Sequence, residues 1–195
     1  MDGLSDDMNR DRKRTIGLSP GMRYLFIAFA LFACATGPAQ SAGPTGEQLK
    51  AALLFKLIKF VTWPTDTLTE EKSELVLCAP GRAPLDGQLR ALQGKKVKGH
   101  RLKMVELATN QADTQGCQVL FLPKDRWGRE KVSNRQGMLT ISDAKGFANQ
   151  DGMIELGERR KRVELRINLE QVREYGLQVD SQLLALATIV GGKGK

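Results

Sequence analysis

The stretch CQVLFLP, Cys117–Pro123, is apolar at every position but Gln118 and has the length of a strand. A strand with one wet face alternates apolar and polar side chains. An unbroken apolar run belongs instead to a strand covered on both faces, as in the parallel sheets of α/β proteins. ELVLCAP, Glu74–Pro80, has the same character, and after it Gly81 turns the chain and Pro84 stands near the start of a short helix reaching Leu92. HRLKMVEL, His100–Leu107, alternates as a half-buried strand, with Leu102, Met104 and Glu106 on one face and Lys103, Val105 and Leu107 on the other. A short helix is expected around Trp127 to Asn134, and GMLTISD then gives a strand ending at Asp143. GMIELG and RVELRINL bracket the basic run GERRKR, Gly157 to Arg162, which predicts a hairpin with a longer, solvated loop. EQVREYG and SQLLALATIV read as two helical stretches separated by Gly176 and the strand-like LQV. Strands alternating with short helices predict an α/β fold: one compact domain whose mixed, mostly parallel sheet has five or six strands, helices on both faces and a C-terminal hairpin.

KAALLFKLIKFVTWP, Lys50–Pro64, is the strongest helical pattern. From Gln48 to Val61 the apolar side chains cover roughly 240° of the helical wheel, with Lys56 and Lys59 on the remaining strip. A helix lying on a membrane surface would divide more evenly into apolar and charged faces, so this one is expected to be packed into the domain. Pro64 ends it, because a residue before proline avoids helical angles. Trp63 is left at the corner and is the candidate partner-binding residue on this edge.

The chain has 195 residues, 41% hydrophobic and 27% charged, which fits one globular domain with a leader. Residues 1–41 read as a cleaved secretory signal. Arg10, Arg12, Lys13, Arg14 and Arg23 are its basic region, Tyr24 to Ala35 is an apolar run too short to span a bilayer, and Ala39-Gln40-Ser41 offers small residues for cleavage. LFAC, ending at Cys34, also resembles a lipoprotein processing site, with Phe32 a poor fit to that pattern. Residues 42–47 then form a short linker, 48–190 the domain, and 191–195 a flexible tail. Removing the leader takes away five basic and four acidic side chains and lowers the net charge from +8 to +7. The basic residues are spread along the chain, and no nucleic-acid module is recognisable. Cys78 and Cys117 are the cysteines left in the exported domain, and an even pair in an oxidising compartment suggests a disulfide, with two buried free thiols as the alternative.

Chemistry is sparse. His100 is the single histidine, set at the polar start of a strand, and no Gly-x-Ser-x-Gly elbow accompanies it, so a hydrolase built on His100 has little support. Two cysteines and one histidine cannot close a zinc site unaided, and no metal or cofactor is expected. GRAPLDG, after a strand and before a helix, could offer amides near Arg82 and Ala83 to an anion, but it lacks both phosphate-loop and dinucleotide patterns. Ser142 and Asp143 stand at the C-terminal end of a strand, where α/β sheets tend to hold ligands, and are the candidate ligand-binding pair. Helix capping explains them equally well.

KAALLFKLIKFVTWP, LVLCAPG, GCQVLFLP, GMLTISDAKGFANQDGMIEL and VELRINLEQVREYGLQVDSQLLALATIV, in this order, resemble the YfiR-like family of bacterial periplasmic proteins over Gln48 to Val190. The resemblance implies a single α/β domain exported to the periplasm, without catalytic activity. It also implies binding to the periplasmic domain of an inner-membrane signalling protein, a diguanylate cyclase or a sensor kinase, with control of cyclic di-GMP and biofilm growth. It carries over a disulfide between Cys78 and Cys117 and leaves a homodimer open. Some members have further cysteines in the C-terminal half, which this chain lacks. The alternative reading is a small-molecule-binding subunit feeding a sensor kinase. Neither reading involves nucleic acid or insertion into the membrane after the leader is removed.

Overall fold

The computed structural model describes residues 45–69, 74–81, 85–108, 113–129, 133–159 and 162–191, all within one unit, Pro44–Lys195. The expected leader with Cys34, the anion-loop candidates Arg82 and Ala83, Pro84, and the tail beyond Gly191 lie outside the described residues.

Helix α1, Gly46–Lys59, starts where a capping box closes: Thr45 Oγ1 accepts from Gln48 N–H and Gln48 Oε1 accepts from Thr45 N–H. The helix therefore begins inside the stretch expected to be linker. Its deeply buried side chains are Ala51, Leu54, Leu57 and Ile58, a stripe at helical spacing that is narrower than the apolar arc. Phe55 is half-buried, with Lys59 Nζ 4.4 Å from its ring centre, while Leu49 is 43% exposed. The lysine covers aromatic surface that the core leaves uncovered. Lys56 and Lys59 are exposed, as expected.

Strand β1, Val61–Thr62, pairs antiparallel with β9, Gln178–Val179, in a separate two-stranded ladder. The main sheet contains β2 (Glu74–Pro80), β3 (Lys96–Val97), β4 (His100–Leu107), β5 (Val119–Leu122), β6 (Leu139–Ser142), β7 (Ile154–Arg159), β8 (Arg162–Asn168) and β10 (Thr188–Val190). Their order is β10-β8-β7-β6-β5-β2-β4-β3, parallel throughout except for the β7–β8 and β3–β4 pairs. The fold is thus α/β with a mixed, mostly parallel sheet, and it has eight strands where five or six were expected. Helices α2 (Asp86–Arg90), α3 (Leu169–Glu174) and α4 (Ser181–Leu184) are short.

Helices on both faces were expected, and the packing corrects this. Leu77, Val119, Leu139, Ile141, Ile154 and Ile167 point to one face of the sheet and form a single core cluster. The buried side chains of all four helices, among them Leu54, Leu89, Val172 and Leu183, join that same cluster. The opposite face carries smaller clusters: Cys78, Leu107, Cys117, Leu120 and Met138 in one, and Leu122, Ala144 and Phe147 in another. A 3-10 turn, Phe147–Asn149, lies over that second face. The sheet is buried on both faces, as its apolar central strands demanded, but a disulfide and a loop cover the side that helices do not.

Three further expectations change. No helix occurs around Trp127 to Asn134 among the described residues there; the chain makes tight turns, with Arg126 and Trp127 N–H both donating to Pro123 O. The hairpin strands run to Arg159 and Arg162, which pair with each other, so the connection is shorter than expected. SQLLALATIV is helical only through Leu184, and Thr188-Ile189-Val190, two of them β-branched aliphatics beside a threonine, extend as β10 along β8.

Candidate functional site

The C-terminal ends of the parallel strands gather the polar side chains. Ser142 closes β6 and is fully buried, its Oγ accepting from Ala144 N–H at 3.0 Å. Asp143 follows, with its side chain 7% exposed. Its Oδ2 receives Lys50 Nζ from α1 at 2.8 Å, and its Oδ1 receives Lys124 N–H from the turn after β5 at 2.8 Å. Both residues expected to bind a ligand are therefore occupied within the fold. Ser142 has no open surface and shapes the turn, and Asp143 braces α1, β6 and the end of β5; neither caps a helix.

Lys50 is the basic partner of this pair, its side chain 16% exposed. Burial acts most strongly on it and works to lower its pKa, but the hydrogen bond and charge of Asp143, with Glu47 and Glu158 further off, outweigh this and hold it above the ordinary lysine value.

Across the helix-free face, Ser142, Glu155 and Arg166 stand in register on β6, β7 and β8. Glu155 is 2% exposed because the 3-10 turn folds over it: its Oε2 accepts from Gly146 N–H at 3.0 Å and from Ala148 N–H at 3.2 Å. Gly146 takes φ 87°, left-handed backbone that suits glycine, and so aims its N–H at the carboxylate. Beyond Glu155 lies a cavity of about 310 Å³ lined by Asp143, Lys145, Glu155, Glu158, Glu164 and Arg166, with Gly157. In sequence, Glu155 reads as the outward position of an alternating strand. Its only signal is a carboxylate between Ile154 and Leu156 in a strand belonging to a doubly covered sheet. A second cavity on this face, about 330 Å³, is lined by Leu120, Leu122, Thr140, Trp127 and Phe147 among others.

The disulfide joins Cys78 in β2 to Cys117 just before β5, with both cysteines 1% exposed. Arg135 reaches this corner, its Nη2 donating to Thr114 O at 2.9 Å and to Cys117 O. Trp63 is not a presented docking residue. It is 7% exposed, belongs to the main core and donates its indole N–H to Gln118 O at 3.2 Å, plugging the start of β5. His100 opens β4 and is half-buried. Among the described residues no group of three or more His, Cys, Asp and Glu side chains is arranged to hold a metal ion. No helix among them is long and apolar enough to cross a membrane.

The described residues form one α/β sheet, covered by helices on one face and tied by a disulfide between β2 and the start of β5 on the other. The sequence profile of the YfiR/HmsC-like family matches residues 47–188, and the chain belongs to that family of periplasmic regulators. No curated protein sequence matches the chain significantly.

Proposed function

We propose that this chain is a non-enzymatic periplasmic regulator that binds the periplasmic domain of an inner-membrane signalling enzyme, a diguanylate cyclase, and holds it inactive. The family match over 47–188 carries this reading. The physical requirement is differential affinity: the regulator binds the inactive state of its partner more tightly, and each tenfold preference shifts the balance by about 1.4 kcal/mol. The test pairs deletion of the gene with photo-crosslinking. Deletion should raise cyclic di-GMP and biofilm growth. A photoreactive residue placed at Leu186 or Ile189, apolar side chains 80% and 47% exposed near the sheet edge, should capture a membrane-bound cyclase. Unchanged cyclic di-GMP together with no captured membrane protein overturns the proposal.

A second reading, a small-molecule-binding subunit feeding a sensor kinase, draws on the polar cavity beside Asp143 and Glu155. A thermal-shift screen of periplasmic metabolites separates the two, since a cyclase repressor without a ligand shows no shift.

A further inference from the structure

Basic side chains are spread along the sequence, but the fold gathers a group of them where β3, the edge strand of the sheet, lies near the C-terminal end of α1. Between Gly94 and Met104 there are five lysine or arginine residues and no acidic one. Lys95 from this segment and Lys59 from α1 approach the same Phe55 ring, their Nζ atoms 5.9 and 4.4 Å from its centre. Lys56 precedes Lys59 by one helical turn, Lys98 donates to Thr62 Oγ1 at 2.8 Å, and Lys96 is paired in register with Arg101. All six are exposed, and no described carboxylate pairs with any of them. Glu74, opposite Arg101 in register, reaches Lys103 instead, at 3.0 Å.

Lys98 is a second, independent sign. The turn Lys98-Gly99 joins the paired residues Val97 and His100 with φ of 48° and 90°, left-handed backbone that favours Gly, Asn or Asp. A lysine there adds strain that glycine would avoid, and it keeps a cation at the hairpin tip. Like charges gathered without counter-charges repel one another and cost stability, so the group is offset only by an anion from outside the chain.

We propose that this face seats the domain on an anionic phospholipid bilayer, its ammonium groups donating to headgroup phosphates without insertion of any segment. Five of the six cations are lysines, compact charges on flexible stems that suit a fluid array of phosphates better than the fixed carboxylates of a folded protein. For a periplasmic family the polyanion at hand is the membrane surface, and nucleic acid is not. The site does not depend on which protein the chain regulates, and it brings the domain to the plane in which a membrane-bound partner lies.

Co-sedimentation tests this, using the exported protein purified from the periplasm and vesicles of phosphatidylcholine, alone or with about 30% phosphatidylglycerol. Saturable binding to the anionic vesicles alone is expected, falling steeply between about 50 and 500 mM salt as the screening length shortens. At about fivefold per cation, Lys56→Gln/Lys95→Gln/Lys96→Gln should weaken binding about a hundredfold. The same change at Lys124, Arg129 and Arg162, exposed elsewhere on the domain, should weaken it less than about threefold. Lys98→Gly suits the left-handed turn while removing one cation, which makes it a second variant that folds, and should weaken binding about fivefold. No binding to anionic vesicles at about 1 mM lipid overturns the proposal, as does equal binding to phosphatidylcholine or an equal loss in the distant variant. If the protein ignores vesicles but captures an acidic membrane protein through these lysines, the face belongs to a protein and the proposal falls. Vesicle binding with unchanged cyclic di-GMP on gene deletion keeps this site and removes the regulator reading.

Discussion

Asp143 holds three segments of chain through one carboxylate, and its cost of loss follows from burial. Asp143→Asn keeps an acceptor for Lys124 N–H but leaves the Lys50 ammonium, itself 16% exposed at the side chain, with only the more distant Glu47 carboxylate, 3.9 Å away, as counter-charge. Breaking such a pair should cost about 2 kcal/mol. Urea unfolding checks this, and an unchanged midpoint would refute the bracing role. The raised pKa of Lys50 adds a pH signature. Because the folded value lies above the unfolded one, the stabilisation is fully present below about pH 10.5 and is lost as pH rises through the folded value. The stability gap between the native protein and Lys50→Met should therefore hold at neutral pH and narrow in strong alkali. A gap that widened there would contradict the assignment. At this scale the sequence pointed to Ser142 and Asp143 by their place at a strand end, but it could not show that Lys50 would cross from another element to claim the carboxylate. Trp63 was misread for a related reason. A proline corner looks exposed in sequence, and only the packed sheet reveals a carbonyl, that of Gln118, within reach of the indole.

The elements were legible where a single period governed them. ELVLCAP became β2 at the expected residues, and the Lys50–Pro64 pattern became a helix. The width of its apolar arc misled, because apolar surface can be covered by a lysine stem as well as by core. This has a measurable consequence. Leu54→Ala, at a fully buried position, should lose about 2 to 5 kcal/mol, whereas Leu49→Ala, at a position 43% exposed, should change stability by no more than about 0.5 kcal/mol. Comparable losses in chemical denaturation would restore the broad buried face. SQLLALATIV failed as a single helix because its second half found a strand partner: β8 offered a free edge, and pairing from Thr188 to Val190 overrode weak helical propensity. Strand pairing of this kind is non-local and leaves no mark in the segment itself.

For the whole molecule, the disulfide closes a loop spanning 39 positions between two strands that pair side by side. By the chain-entropy model its removal in Cys78→Ala/Cys117→Ala should cost about 4 kcal/mol, read from denaturant unfolding. With both sulfurs buried, the native protein should show no alkylatable thiol at Cys78 or Cys117 by mass spectrometry without reductant; labelling of both would contradict the bond. The sequence by itself determined the α/β class, because apolar runs of strand length bounded by Gly and Pro read as strands covered on both faces, and it determined the family through five segments in one order. Tertiary structure alone decided that the helices share one face, that Glu155 is buried under a turn, and that Lys50 meets Asp143. Periodicity reports which side chains must leave water; which partner covers them depends on contacts between residues distant in the chain, and those exist only once the sheet is assembled.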